Sequence, residues 1–304
     1  MIFFGDSENK SLSKGISSHL KTNLNFPDIA VFSDGERRVR LTKKVLGCDV
    51  VFLKTASITN NIDSLVVETA FMIDALKRSG ARSITGIFPH FPYGRGDHLF
   101  GDGESIPLKV VIRIFEAAGI TKAMFVDPHT VKMSEMFVVP SVNVSALSLF
   151  AQKIKSLGFD PKNSVLVSPD KGGLRRVKAL SDYLSGAPYI SLEKKRDHRT
   201  GKIKIGTLKD DVPPNCYIID DEIAGGGTVL SAMKALRVSG ARDVFMLATH
   251  AVFSGNVPQL LQKSAAKKII VTDSIPVGPE KRFKKLEVIS LASIISKELE
   301  DLRV

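Results

Sequence analysis

A four-residue segment occurs twice in this chain. Ser79-Gly80-Ala81-Arg82 and Ser239-Gly240-Ala241-Arg242 each follow an amphipathic stretch and precede a short β-branched run. In the first copy Ile62, Leu65, Val66, Thr69, Met72, Ile73 and Leu76 recur at helical spacing. Strands are expected over 83–88 and 243–247, and the glycine just past each periodic segment is a helix C-cap. A helix, cap and strand repeated half a chain apart predict two similar α/β domains. Further β-branched runs at 49–53, 123–126, 164–167, 189–192 and 268–271 are separated by helical patterns, which predicts mainly parallel sheets. The boundary is placed after Pro140-Ser141-Val142-Asn143, giving domains over 1–143 and 144–286. A final helix over 290–302 carries Leu291, Ile294, Ile295 and Leu299 on one face and must dock. Sequence alone does not say where; the N-terminal domain is one candidate for 287–304.

Composition narrows the function. The 304 residues suffice for two domains, and 43% apolar content supports real cores. The net charge of +11 is spread without a long basic block, aromatics are only 7%, and Trp is absent. This argues against a nucleic-acid groove with stacking aromatics and fits a small anionic substrate. Cys48 and Cys216 are far apart in apolar surroundings and read as core thiols of a cytoplasmic protein. The N-terminus lacks the signature of a signal peptide, and no apolar run reaches membrane-spanning length.

One segment carries chemistry. The apolar run from Cys216 to Ile219 ends in Asp220 and Asp221, followed by Ala224-Gly225-Gly226-Gly227-Thr228 and a helical pattern over 229–238. In an α/β protein ligands bind at the carboxyl ends of strands. Glycines free backbone N–H groups to face an anion at a helix N-terminus, and the carboxylates hold sugar hydroxyls or a metal beside it. The combination reads as a site for a phosphorylated sugar. A strand-to-helix turn with an exposed acidic cap has the same composition.

Several segments in one order resemble the ribose-phosphate pyrophosphokinase family from about residue 32 to 276. Phe32-Ser33-Asp34-Gly35-Glu36 is similar to its FSDGE loop, Met72-Ile73-Asp74-Ala75-Leu76-Lys77-Arg78 to MIDALKR, and Tyr93-Gly94-Arg95-Gly96-Asp97 to YARQD. Asp127-Pro128-His129 resembles DLH, Ser168-Pro169-Asp170-Lys171-Gly172-Gly173 resembles SPDxGG, and Lys194-Lys195-Arg196 resembles KRR. Residues 220–228 resemble DDMIDTAGT, and Thr249-His250-Ala251-Val252-Phe253-Ser254-Gly255 resembles THGVLSG.

The resemblance implies two Rossmann-like domains of the phosphoribosyltransferase type. It implies Mg²⁺-dependent transfer of the β,γ-diphosphoryl group of ATP to the 1-hydroxyl of ribose 5-phosphate, with AMP leaving. Lys194, Arg196 and His129 would be catalytic, the first two as cations on a closing loop that includes residues 197–202. Phe32, Asp34, Glu36, Arg95, Asp97 and His129 would bind ATP, the 32–36 loop serving a neighbouring subunit of a homo-oligomer. A hairpin turn built on Asp-Gly is the plainer reading of that loop. Asp170, Asp220, Asp221, Gly225, Gly226, Gly227 and Thr228 would bind the ribose phosphate, and His129 and Asp170 would ligate the metal. Nitrogen is an unusual ligand for Mg²⁺, so His129 in that role rests on the resemblance.

The chain departs from the family pattern in three places. Ala224-Gly225-Gly226-Gly227-Thr228 replaces Asp-Thr-Ala-Gly-Thr and removes an acid and a hydroxyl. Gly96 and His98 stand where Gln and Arg are usual, and residues 99–104 replace a basic stretch linked with allosteric phosphate and ADP. The emptied triglycine turn leaves open an acceptor with a substituted 5′-phosphate, such as ADP-ribose. A phosphoribosyltransferase shares the acid pair and glycine loop, but the duplication, the adenine loop and Lys194/Arg196 argue against it. A non-catalytic regulatory subunit is opposed by the retained His129, Asp170, Asp220 and Asp221.

Overall fold

The computed structural model describes residues 1–56, 61–99, 101–192 and 211–302, and the backbone alone of 194–196 and 203–205. The chain divides into two units: residues 1–145, 273–276 and the chain from Ser290 onward form the first, and 146–272 with 277–289 form the second.

The first unit runs β1 (Ile2–Phe4), α1 (Lys10–His19), β2 (Leu24–Asn25), β3 (Asp28–Val31), β4 (Arg37–Arg40), β5 (Asp49–Leu53), α2 (Ile62–Arg78), β6 (Ser83–Phe88), α3 (Pro107–Ala118), β7 (Lys122–Val126), α4 (Met133–Met136) and β8 (Ser141–Val144). Its parallel sheet has the order β2-β1-β5-β6-β7-β8. The antiparallel hairpin β3–β4 stands apart from that sheet. Phe88 stacks on Phe115 and meets Phe52 and Phe91 edge-on, so aromatic packing fills the space between the sheet and its helices.

The second unit runs α5 (Leu147–Ser156), β9 (Ser164–Ser168), α6 (Leu174–Tyr183), β10 (Tyr189–Ser191), β11 (Lys194–Arg196), β12 (Ile203–Ile205), β13 (Asn215–Glu222), α7 (Gly227–Val238), β14 (Asp243–His250), α8 (Val257–Lys263), β15 (Ala266–Thr272) and β16 (Leu286–Ile289). Its parallel sheet has the order β10-β9-β13-β14-β15-β16, the same plan as the first. Cys216 is buried in this core, where burial pushes its thiol up to about 12. Cys48 is only half-buried, contrary to its reading as a core thiol, because it lies in the turn before β5.

The repeated segment folds the same way twice. Gly80 and Gly240 have φ of +76° and +93°, and their N–H groups donate to Lys77 and Arg237 carbonyls. Ala81 and Ala241 donate back to Leu76 and Leu236, and Arg82 and Arg242 then join the strand beside Cys48 and Pro214. These are glycine caps in the left-handed region, where a Cβ is penalised. Among the described residues no helix is long and apolar enough to cross a membrane.

β8 carries the first sheet past residue 143, and residues 273–276 return to the first unit. The final helix α9 (Ala292–Asp301) packs on α1. Asp273 secures this return. Its carboxylate accepts from Leu291 N at 2.8 Å and Ser290 Oγ at 2.6 Å, while its carbonyl accepts from Asn9 Nδ2 at 2.7 Å.

Burial outweighs those hydrogen bonds and raises the Asp273 pKa. A carboxyl raised on folding favours the folded state below its unfolded pKa of about 4, and that contribution is lost as pH rises through the folded value. An amide has the same shape without the charge. Asp273→Asn is therefore expected to gain stability relative to the parent as pH rises from about 4 to 7, as checked by urea unfolding at several pH values. A pH-independent difference would contradict the raised carboxyl.

Candidate functional site

The carboxyl edge of the second sheet gathers the sugar-phosphate candidates. β9 ends at Ser168, and Asp170 lies two residues on. Gly173 N donates to Asp170 Oδ1 at 3.2 Å, and Ser168 Oγ donates to the Asp170 carbonyl at 2.6 Å, which fixes the turn into α6. A Cβ on Gly173 would lie 2.6 Å from Ser168 Oγ, so a larger residue would displace the hydroxyl that holds this turn. On the neighbouring β13, Asp220 and Asp221 lie at the strand's carboxyl end, just before its last residue Glu222, and Asp221 N donates to Asp220 Oδ1 at 2.9 Å. Burial first, then the adjacent Asp221, hold the Asp220 carboxyl well above its ordinary value; Arg176 opposes them.

Arg176 is a residue that sequence reasoning missed. From the first turns of α6 its Nη1 lies 3.5 Å from Asp220 Oδ1 and 3.6 Å from Asp221 Oδ1. The available signal was an arginine just beyond the Asp170 turn, on the helix leading away from the strand beside the acid pair.

The glycine loop follows β13. Ile223 N donates to His250 O, while Phe253 N and Ser254 N donate to the carbonyls of Ile223 and Ala224. Backbone hydrogen bonds thus stitch the loop to the end of β14 and the segment after it. Gly226 caps α7 with φ of +71° and makes no side-chain cap. Leu230 N makes the bond back to Gly226 O, so the amides of Gly227, Thr228 and Val229 precede the helical ladder. Such amides at a helix N-terminus, with its dipole, suit an anion. A Cβ added at Gly225 or Gly227 would meet nothing within 4 Å, so open space lies beside them.

The first sheet presents the nucleotide candidates on its own carboxyl edge. Asp97 follows β6 and His129 follows β7, and His129 is exposed. Asp97 accepts from His98 Nδ1 at 2.6 Å and from the Thr130 side chain; although burial raises it, these bonds hold its carboxyl below the ordinary value. Thr130 therefore links the loop of Arg95 and Asp97 to that of His129. Arg95 is exposed on the same loop. Gly96 lies against the Pro107 ring, where a Cβ would come within 3.0 Å. That contact suits glycine in the place where glutamine is usual.

Phe32, Asp34 and Glu36 sit at the exposed tip of the β3–β4 hairpin, with Phe32 49% exposed. Phe32 N donates to Glu36 O, and Asp34 Oδ1 accepts from Glu36 N at 3.0 Å. Lys194 and Arg196 lie on β11, opposite Ile205 and Ile203 of β12; their side chains, and residues 197–202, lie outside the described residues.

Known proteins carry the same pattern. Residues 1–119 match the family described as the N-terminal domain of ribose phosphate pyrophosphokinase, and 205–303 match the phosphoribosyl synthetase-associated domain. The ribose-phosphate pyrophosphokinase of Mycobacterium leprae is 32% identical over 97% of this chain and 90% of its own length. That of Haemophilus influenzae is 33% identical over 97% of this chain and 94% of its own. The crystal structure of phosphoribosylpyrophosphate synthetase from Mycobacterium smegmatis is similar with a TM-score of 0.90 and 30% identity, covering 99% of this chain and 98% of that one. Sequence and fold therefore agree along nearly the whole chain, which belongs to the ribose-phosphate pyrophosphokinase family of enzymes.

Proposed function

We propose that the enzyme transfers the β,γ-diphosphoryl group of ATP to the 1-hydroxyl of ribose 5-phosphate. The observation that carries this reading is the carboxylate pair Asp220/Asp221 at the end of β13, followed by the N-terminus of α7, which has no side-chain cap. The carboxylates suit the ribose 2- and 3-hydroxyls, and the amides of residues 225–228 suit the 5′-phosphate. Arg176 keeps two adjacent acids oriented beside a dianionic ligand. In the transfer, the sugar O1 bonds to the β-phosphorus, the bond from that phosphorus to the α-phosphate oxygen breaks, AMP departs, and the O1 proton is lost. Such chemistry depends mainly on positioning and charge neutralisation.

The carboxylate of Asp170 suits Mg²⁺, which prefers oxygen ligands. Among the described residues no three His, Cys, Asp or Glu side chains form a ready metal cage. Mg²⁺ keeps several waters and binds through one or two carboxylates plus substrate phosphates. Asp170 would be an oxygen ligand of such an ion, and His129 enters as a ligand through the family resemblance alone. When bound, the ion neutralises phosphate charge. Arg95 and Asp97 would position the triphosphate, and Phe32, Asp34 and Glu36 the adenine of a neighbouring subunit in a homo-oligomer.

Lys194 and Arg196 would supply positive charge to the transferring group. Lys194→Ala or Arg196→Ala should lower kcat by roughly 10²–10³ with a much smaller change in KM for ATP. Steady-state kinetics decide this: an unchanged kcat with a large rise in KM would make them ground-state binders.

One observation favours a second acceptor. The open space beside Gly225 and Gly227 leaves room for a substituent on the 5′-phosphate, as in ADP-ribose. Incubation with Mg-ATP and either acceptor, followed by mass analysis, is expected to give phosphoribosyl pyrophosphate from ribose 5-phosphate. A diphosphorylated ADP-ribose in the parallel reaction would establish the larger acceptor. Restoring side chains with the double substitution Ala224→Asp and Gly225→Thr should then shift kcat/KM toward ribose 5-phosphate. An unchanged ratio would show that this loop does not select the acceptor.

A further inference from the structure

The same edge of the first sheet holds charges that the proposed chemistry does not use. Asp6 lies two residues beyond the end of β1, as Asp170 lies two beyond the end of β9. Lys54 is five residues beyond Asp49, which pairs with Ser83; Asp220 is five beyond Asn215, which pairs with Asp243. Asp6 and Lys54 therefore lie at the sheet-edge places that Asp170 and the Asp220/Asp221 pair take in the second unit. The cavity beside them, also lined by Glu68 and Met72, measures only about 20 Å³, room for about one water. A ligand does not fit there, so these groups serve another purpose.

Their partners indicate which. Lys54 Nζ lies 2.9 Å from Glu68 Oε2 and 3.8 Å from Asp6 Oδ1, and Asp6 Oδ2 accepts from Thr55 N at 2.8 Å. Glu68 Oε1 in turn holds Arg37 Nη1. Arg37 Nε is buried without an acceptor among the described residues, so Glu68 is the hydrogen-bond anchor of this guanidinium. Arg37 is the first residue of β4, directly after Glu36.

The hairpin needs such an anchor. It shares no ladder with the six-stranded sheet, and a two-stranded hairpin by itself is marginal in water. Val39 packs against the first core and Ile29 lines the small cavity, so apolar contact holds one face of the hairpin. Buried ion pairs are poor stabilisers compared with apolar packing, and fixing one geometry is their best-attested use. The side chains of Lys54 and Glu68 are only 11% and 10% exposed.

We infer that Lys54, Glu68 and Arg37 form a positioning relay that fixes the 32–36 loop to the sheet edge and so sets affinity for the adenine nucleotide. This rests on the reading of that loop as the adenine site. In the full-length enzyme, Glu68→Gln and Arg37→Ala should speed amide exchange across residues 28–40, with little change in β13 or β14. The KM for ATP should rise roughly tenfold, the scale of one charge-assisted hydrogen bond, while kcat and the KM for ribose 5-phosphate stay within about twofold. Arg37→Lys should recover much of the loss, and adding Arg37→Ala to Phe32→Ala should cost little more than Phe32→Ala alone. Unchanged exchange in 28–40, or equal loosening of β5 and β6, would overturn the relay. Faster exchange there with an unchanged KM for ATP would uphold the relay and overturn the adenine reading.

Discussion

Parallel pairing places the carboxyl ends of all strands in a sheet along one edge, and the crossover helices begin at that edge. The candidate residues at the two sheet edges depend on that constraint, whereas those at 32–36 and 194–196 sit on antiparallel hairpins. β9 and β13 deliver Asp170, Asp220 and Asp221, and the turn from β13 into α7 adds amides that precede the helical ladder. β6 and β7 deliver the loops of Arg95, Asp97 and His129, joined through Thr130. Some backbone strain lies on the same edges: Tyr93, Asp127 and Phe253 have φ of +58°, +36° and +47° in the segments that follow β6, β7 and β14, while Lys21 and Ser185, with φ of +50° and +58°, follow helices. Non-glycine residues in this region cost about 1–3 kcal/mol each and persist only where surrounding structure holds them.

Two copies of one plan have taken different electrostatic courses. In the second unit the edge positions hold acids beside an open glycine turn, with Arg176 between two carboxylates. In the first unit they hold Asp6 and Lys54, which close on Glu68 and leave a cavity the size of one water. Burial raises both Asp6 and Asp220, yet each faces a cation that opposes the shift. The fold fixes where the edge lies; the side chains decide whether it stays open to a ligand or becomes internal structure.

The glycine turn after β13 is held by backbone hydrogen bonds. Its geometry comes from amide bonds to the segment after β14 and from the left-handed cap at Gly226. Side chains at 225 and 227 would meet no neighbour within 4 Å, so their absence widens the site rather than relieving a clash. Gly96 is the opposite case, since Pro107 already occupies the space a side chain would need.

Local chemistry made much of this legible in the sequence. Helical spacing in 62–76, the caps at Gly80 and Gly240, and the apolar run ending in Asp220 and Asp221 are set by neighbours a few residues away, and each appears in the structure where its pattern placed it. The resemblance in motif order extended that reading to the family. What only the tertiary structure decided are the contacts between segments far apart in the chain. Arg176 meets Asp220 across 44 residues, Arg37 meets Glu68 across 31, and Asn9 meets the Asp273 carbonyl across 264. No periodicity encodes such pairs. They arise when folding packs strand ends, helices and the hairpin against one another, and desolvation then obliges each charge or amide to take whichever partner the packing has placed beside it.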